Sequence, residues 1–465
     1  MFRRMFAIAR LTFWEGVRMR IVLFFLVVLA VIVLRLPFAL KGDETLAGRL
    51  QTFLSYSLGA VGLFMGLATV FLACATLSKE FQTRTLHMVV TKPVTRFEIL
   101  AGKWIGVNLL CLLMLGLCGV TIYGFAVFIK QQPPLNARDE LRLRDAIWIA
   151  RLSAEPKVPD FEKFAGNYLE QLEKEGQKFD SYRGGREAVI REKANEFKEQ
   201  WLRVVPGSGA AYEFENLPPA RNESDTYQVS FKVRAEPVPP DQIVPIYWMF
   251  LDPNTGAQLQ TEWSRTEERV YEIHRLMVRA QVVRNGKAVL AVSVPPPPES
   301  RSAIYFEGKG ALQILYPASS FESNFIKSLL LVWFRLAFLS ALGLFFATFC
   351  TFPVACFCTL SLLLFCIGMP WWIESTGANL ELRTDRIDPY GKWGPAVRTV
   401  LVPFMKVVLP DFVSYDGVSN LIDGLFINNW LMLQGAAHTI IYGIILLVLP
   451  GYLIFRSREV AEVIV

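Results

Sequence analysis

Six apolar runs of membrane-spanning length, at about 21–40, 53–78, 104–129, 328–349, 353–372 and 431–455, constrain this chain more than any other feature of its sequence. Each is close to the roughly 20 residues an α-helix needs to cross a hydrocarbon core. The 465-residue chain is 53% hydrophobic, yet 19% of it is charged. The two figures are compatible because the charge is segregated, most of it lying between Lys130 and Lys327. The expected fold class is an α-helical polytopic membrane protein with six transmembrane helices and one large polar insertion.

The basic residues set the orientation. Arg3, Arg4, Arg10, Arg18 and Arg20 precede or open the first run. Lys79, Arg84, Lys92, Arg96 and Lys103 fill the short connection between the second and third, against only Glu80 and Glu98, and Arg456 and Arg458 follow the sixth. Translocation of clustered Lys/Arg is disfavoured, so all three groups are expected on the cytoplasmic side. Parity then places Lys41–Arg49, the insertion 131–326 and the segment 374–430 outside, with both termini cytoplasmic. The first run lacks the small-residue exit of a cleavable signal and reads as an uncleaved span. Within 1–20, Phe2, Met5, Phe6, Ala9 and Phe13 recur at helical spacing, with Arg3 and Arg10 elsewhere on the wheel. This pattern predicts a cytoplasmic amphipathic helix at the membrane interface; the alternative is a basic leader that only sets topology.

The insertion changes period along its length. Its first part, 137–205, is expected to be helical. Phe161, Phe164, Tyr168 and Leu172 form one apolar stripe and Ile190, Ala194, Phe197 and Trp201 another, parted by Gly184-Gly185, which predicts a helical hairpin. The part 212–318 is β-rich. Tyr227, Val229, Phe231 and Val233 alternate with polar residues, as do Leu276, Val278, Ala280 and Val282. Asn285-Gly286 before Ala288–Val294 signals a tight hairpin, and Ala303–Tyr316 supplies further strand. An extracytoplasmic α+β domain, a helical hairpin plus an antiparallel β-sandwich, accounts for this rhythm. His274 is its only histidine and no carboxylate pair stands apart, so recognition or docking fits it better than catalysis. Asn222-Glu223-Ser224 matches a glycosylation sequon at a frequency close to chance.

The connection 79–103, KEFQTRTLHMVVTKPVTRFEILAGK, carries an ordered set of residues: Glu80, then Thr85-Leu86, then Pro93-Val94-Thr95-Arg96, then Gly102-Lys103. This order resembles the cytoplasmic loop of type-2 ABC-transporter permeases, many of which have Gly where Arg84 stands. The resemblance covers roughly 1–130 and 327–465. It implies transmembrane helices 1–3 in 21–130 with a coupling loop at 79–103, and helices 4–6 in 327–465 with an outer re-entrant or amphipathic segment in 374–430. It further implies a permease subunit that moves or extracts a substrate outward. Its expected partners are a cytoplasmic ABC ATPase and a second permease copy, as a homodimer or with a related permease, in a bacterial inner membrane. Glu80, Arg84, Thr85, Pro93, Arg96, Gly102 and Lys103 are the implied ATPase-coupling residues, with a short helix expected around Thr83–Val90. The same residues would also serve a loop that merely anchors topology.

Absent motifs narrow the function as well. The chain has no G-x-x-x-x-G-K-[S/T] phosphate loop, H-E-x-x-H or G-x-S-x-G. Trp104 follows Gly102-Lys103 where a magnesium-binding hydroxyl would be required. No catalytic residue, cofactor or metal is therefore expected in this chain, and ATP and magnesium would belong to the partner. All seven cysteines, Cys74, Cys111, Cys118, Cys350, Cys356, Cys358 and Cys366, lie within or at the ends of apolar runs and read as helix-packing residues. The net charge of +6 sits mainly at the cytoplasmic ends and calls for membrane lipid rather than nucleic acid. Asn108, and Gln434, His438 and Tyr442 at four-residue spacing, are candidate pathway-lining groups or interhelical hydrogen-bonders. An alternative to transport is a membrane scaffold or sensor that displays the β-sandwich, with an extracytoplasmic protein as its partner. A secondary transporter would call for broken paired helices, which the sequence does not suggest.

The topology is directly testable. A Ser224→Cys variant on a cysteine-free background should react with an impermeant thiol reagent from outside; labelling only after the inner face is opened would overturn it.

Overall fold

A computed structural model describes residues 2–39, 45–82, 94–133, 148–175, 185–219, 226–259, 263–306, 310–375, 416–446 and 450–457. The chain forms two compact units, Met1–Ala150 with Ser319–Val465, and Arg151–Ala318. The compact part of the insertion is thus shorter at both ends than the expected 131–326.

The first unit begins with α1 (Phe2–Arg18), α2 (Arg20–Ala39), α3 (Leu46–Gln82) and α4 (Arg96–Lys130). At 1.5 Å per residue α3 and α4 are about 55 and 52 Å long, well beyond the roughly 30 Å of a hydrocarbon core. They therefore extend past the apolar runs, and 79–82 and 96–103 of the expected loop are helical. A capping box starts α4. The Thr95 hydroxyl accepts from the Glu98 amide at 3.2 Å, and the Glu98 carboxylate accepts from the Thr95 amide at 2.8 Å, satisfying two orphan donors reciprocally. The Thr83–Val90 helix expected from the sequence lies outside the described residues.

The second unit contains β1 (Ile149–Ala154), α5 (Phe161–Lys174), α6 (Gly185–Leu202), β2 (Arg203–Val204), β3 (Gly209–Phe214), β4 (Thr226–Lys232), β5 (Arg234–Glu236), β6 (Ile243–Leu251), β7 (Ser264–Arg269), β8 (Ile273–Arg279), β9 (Ala288–Ser293), β10 (Ala303–Tyr305) and β11 (Leu312–Ser320). α5 and α6 pair as a hairpin, with Tyr168 edge-on to Phe197. The buried stripe of α5 nevertheless runs through Ala165 and Leu169, leaving Phe164 and Tyr168 exposed. β1 is a strand within the stretch expected to be helical.

The strands form three sheets, ordered β1-β11-β4-β8, β2-β10-β5 and β3-β9-β6-β7. All pairings with a defined register are antiparallel. Phe231 of β4 and Trp248 of β6 lie 4.4 Å apart by ring centroid, so the two four-stranded sheets face each other over one core. The small third sheet has no signature in the alternation of the sequence. β4 was expected to be half-buried, but Gln228 and Ser230 are buried as well, because this strand is sheet-central. The alternation through Ala280 and Val282 is not strand: it ends as a 3-10 turn, Ala280–Val282. Asn285 and Gly286 have positive φ, 51° and 75°, between the bridged Arg284 and Lys287, the conformation a type I′ hairpin requires. The sequon at 222–224 lies outside the described residues.

The first unit resumes with α7 (Phe321–Ala347), α8 (Phe352–Ser375), α9 (Gly417–Ile422), α10 (Asn429–Leu446) and α11 (Tyr452–Ser457). α7 is its hub, packing on α3, α4, α8, α9 and α10. Among the described residues, five helices are long and apolar enough to cross a membrane: α2, α3, α4, α7 and α8. The expected sixth span is represented by α10 and α11, and α10 falls short of that measure over its described residues. Most of the outer segment 374–430 lies outside the described residues; α9 is its described helix. Asn324, buried on α7, donates to the Leu425 carbonyl and accepts from the Ile427 amide, both at 2.8 Å. It thereby satisfies polar backbone in the α9–α10 connection.

α1 crosses α4 at backbone contact. A Cβ on Gly106 would stand 2.5 Å from the Ala9 carbonyl oxygen, and one on Gly102 would stand 2.8 Å from the Ile8 Cβ. Overfilling such a contact costs about 1–3 kcal/mol. Gly106→Val should therefore lower the thermal unfolding midpoint in detergent, followed by tryptophan fluorescence. Gly116→Ala, where a Cβ meets nothing within 4 Å, should leave it unchanged or slightly raised.

Candidate functional site

The residues singled out in the connection 79–103 separate into two groups. Arg84, Thr85 and Pro93 lie outside the described residues. Glu80, Arg96, Gly102 and Lys103 lie on helix ends and each has a defined structural partner. Gly102 is the close-approach point for α1, with no room for a side chain. Lys103 is 2% exposed; its Nζ donates to Glu80 Oε1 at 2.8 Å and to the Thr76 carbonyl at 3.1 Å. An ammonium buried this deeply needs such partners, because desolvating it unpaired is costly. The ion pair therefore fixes the C-terminal end of α3 against the N-terminal end of α4.

Arg96, the first residue of α4, reaches the end of α11. Its guanidinium donates to the Phe455 carbonyl and, at 2.6 Å, to that of Arg456, and stands 5.5 Å from the Phe455 ring centroid. A cation there answers the unsatisfied carbonyls and negative pole of a helix C-terminus. Phe455 also packs edge-on to Phe81 of α3, centroids 5.8 Å apart. Lys103, Glu80, Phe81, Arg96 and Phe455 thus tie α3, α4 and α11 together on either side of the segment 83–93.

The candidate pathway residues also divide. Asn108 is buried and donates to the Trp104 carbonyl at 2.8 Å and to Ser340 Oγ on α7 at 3.0 Å. It joins two helices and lines no described cavity. His438 borders an open cavity of about 530 Å³ lined by residues of α3, α7, α8, α9 and α10. Gln434 is half-buried and outside that lining. The Tyr442 side chain lies outside the described residues. The sequence reading overlooked Arg335, which sits mid-way along α7 and lines the same cavity with Asp416, the N-cap of α9. A lone arginine in the apolar run 328–349 was the available signal, since charge inside a span marks a functional position by default. Gly59, Gly62 and Gly66 of α3 form the facing wall, and a Cβ at Gly59 or Gly62 would meet open space.

In the second unit, His274 is held by structure: Nδ1 lies 2.6 Å from Glu268 Oε2 and Nε2 lies 2.7 Å from the Arg269 carbonyl. Lys287 bridges Glu213 and Glu215, both at 3.0 Å, and Lys157 contacts Glu215 at 2.8 Å. The Lys157 and Lys287 hydrogen bonds hold the Glu215 carboxyl below its usual range.

Five described helices long and apolar enough to span a hydrocarbon core define an integral membrane protein. Residues 6–152, which take in most of α1 and all of α2 to α4, match the family model described as ABC-2 family transporter protein. No curated protein and no solved structure matches the chain.

Breaking the Lys103–Glu80 ion pair provides a local test. Lys103→Met and Glu80→Gln should each destabilise the protein by about 3 kcal/mol, because one buried charge loses its partner. The double variant should recover more than half of that loss in the same detergent unfolding measurement. Additive losses would mean the pair is not coupled.

Proposed function

We propose that this chain is the membrane-spanning subunit of an ABC transporter, moving or extracting its substrate outward with ATP hydrolysed by a separate subunit. That cytoplasmic ATPase binds the ATP and magnesium, and the chain works with a second permease copy. Both termini face the cytoplasm of a bacterial inner membrane, six helices cross it, and the insertion projects outward, where it is available to an extracytoplasmic protein. The observation that carries this reading is the inner end of the ABC-2 domain. There the short basic segment 83–93 is strung between two helices of 37 and 35 residues that the Lys103–Glu80 pair holds in register.

A closing ATPase must push on something rigid, and a segment clamped at both ends passes displacement to the spans instead of absorbing it. Arg84 and Lys92 offer the charge for an acidic groove on the ATPase, while the Pro93 ring restricts its own backbone φ. Arg96 serves the same junction indirectly, through its hold on α11. The cavity bordered by Arg335 and His438 is the candidate pathway, with Gln434 and Tyr442 on the helix that bounds it.

An exposed ion pair is worth at most about 1 kcal/mol, so the test takes two charges at once. Arg84→Glu with Lys92→Glu should abolish co-purification with the cognate ATPase, or uncouple hydrolysis from transport, at unchanged membrane expression. Arg96→Glu is kept apart, because it would also unseat α11. Normal assembly and coupled activity in the double variant would reduce the segment to a topological anchor.

A further inference from the structure

The second unit holds one histidine, and both nitrogens of its ring face oxygen. His274 stands on β8, with Nδ1 2.6 Å from Glu268 Oε2 and Nε2 2.7 Å from the Arg269 carbonyl oxygen. A carboxylate and a carbonyl only accept, and a neutral imidazole has a single N–H to give. The two bonds are therefore made together only by the imidazolium. Each side chain of the pair is 15% exposed, so water does little to replace a lost bond. The Phe231 ring of β4 packs on the imidazole, centroids 5.5 Å apart. Other charged neighbours face away: Lys232 of β4, Arg275 of β8, and Glu267 and Arg269 of β7 alternate to the opposite faces of their sheets. Tyr271 and Glu272 are exposed in the connection between β7 and β8.

The ring lies where the chain leaves one sheet for the other. β7 and β8 are end strands of their sheets, and only 270–272 join them. The bonds from His274 back to Glu268 and Arg269 close that connection on itself. Its backbone is under strain, since Tyr271 has a φ of 69°, a left-handed value that bulky side chains disfavour. The Tyr271 amide is held there by the Val233 carbonyl at 2.8 Å. We propose that His274 and Glu268 form a proton-operated latch on the β7–β8 connection, closed while the imidazole carries both protons and released as pH rises. The closed form binds one proton more than the released form, so a rise in pH favours release. Histidine is suited to this because its charge changes between about pH 5 and 8. The latch is independent of the permease reading and holds for a scaffold or sensor equally.

The experiment follows hydrogen–deuterium exchange by mass spectrometry on the full chain in detergent, at the two ends of that pH range, with rates corrected for intrinsic exchange. Peptides covering 264–279 should open about tenfold more readily at the alkaline end, the effect of losing one hydrogen bond to a charged group. Peptides from β9, an interior strand of its sheet, should not change and serve as the reference. Glu268→Gln separates a latch from a general effect of pH. Its amide can donate to the lone pair of a neutral imidazole, so 264–279 should stay protected at both ends of the range. His274→Gln cannot change charge, and its exchange should be independent of pH. If that variant loses β9 protection it has misfolded, and Glu268→Gln alone decides. An equal change in 264–279 and in β9, or the parental pH dependence persisting in Glu268→Gln or in folded His274→Gln, overturns the proposal.

Discussion

The interaction on which the membrane unit depends is the burial of the Lys103 ammonium. A cation 2% exposed at the end of an apolar bundle is tolerable only if its donors find acceptors. It finds them on one neighbour, in the Glu80 carboxylate and the Thr76 carbonyl of α3. That choice fixes the relative height of α3 and α4 where α3 ends and α4 begins. Other contacts then follow from it: the α1 crossing at Gly102, one residue earlier, and the seat of Phe455 between Phe81 and Arg96. Apolar packing alone would specify this register less sharply, because dispersion forces change little when a helix slides by part of a turn.

Much of this architecture was legible in the chain, for reasons that differ between elements. The long runs were visible because hydrocarbon imposes a length on any helix that crosses it. The Asn285-Gly286 hairpin was visible because few residues accept positive φ at two successive positions. The ends of α3 and α4 beside 83–93 were not, because hydropathy stops at the hydrocarbon boundary while the helical backbone does not. Thr95 and Glu98 form a capping box readable from spacing alone, but the basic charge around them drew attention to a loop instead. The partners of Lys103 and Arg96 are tertiary and leave no local trace. In α5 the aromatic residues suggested one face, yet the smaller Ala165 and Leu169 are buried, since they allow closer approach.

The outward face of α1 brings in a further force. Phe2, Phe6, Leu11 and Trp14 are exposed on it, interleaved with Arg3, Arg10 and Arg18. Basic residues near an anionic leaflet gain about 1 kcal/mol each, and the gain fades over a Debye length of about 8 Å at physiological ionic strength. On the proposed cytoplasmic placement of α1, the surface potential of the bilayer would press it toward the membrane, while its contact with Gly102 and Gly106 holds it against α4. Lipid headgroup composition would then act on α4 through that contact, and exchange into a neutral detergent would remove the pressure while leaving the steric contact intact.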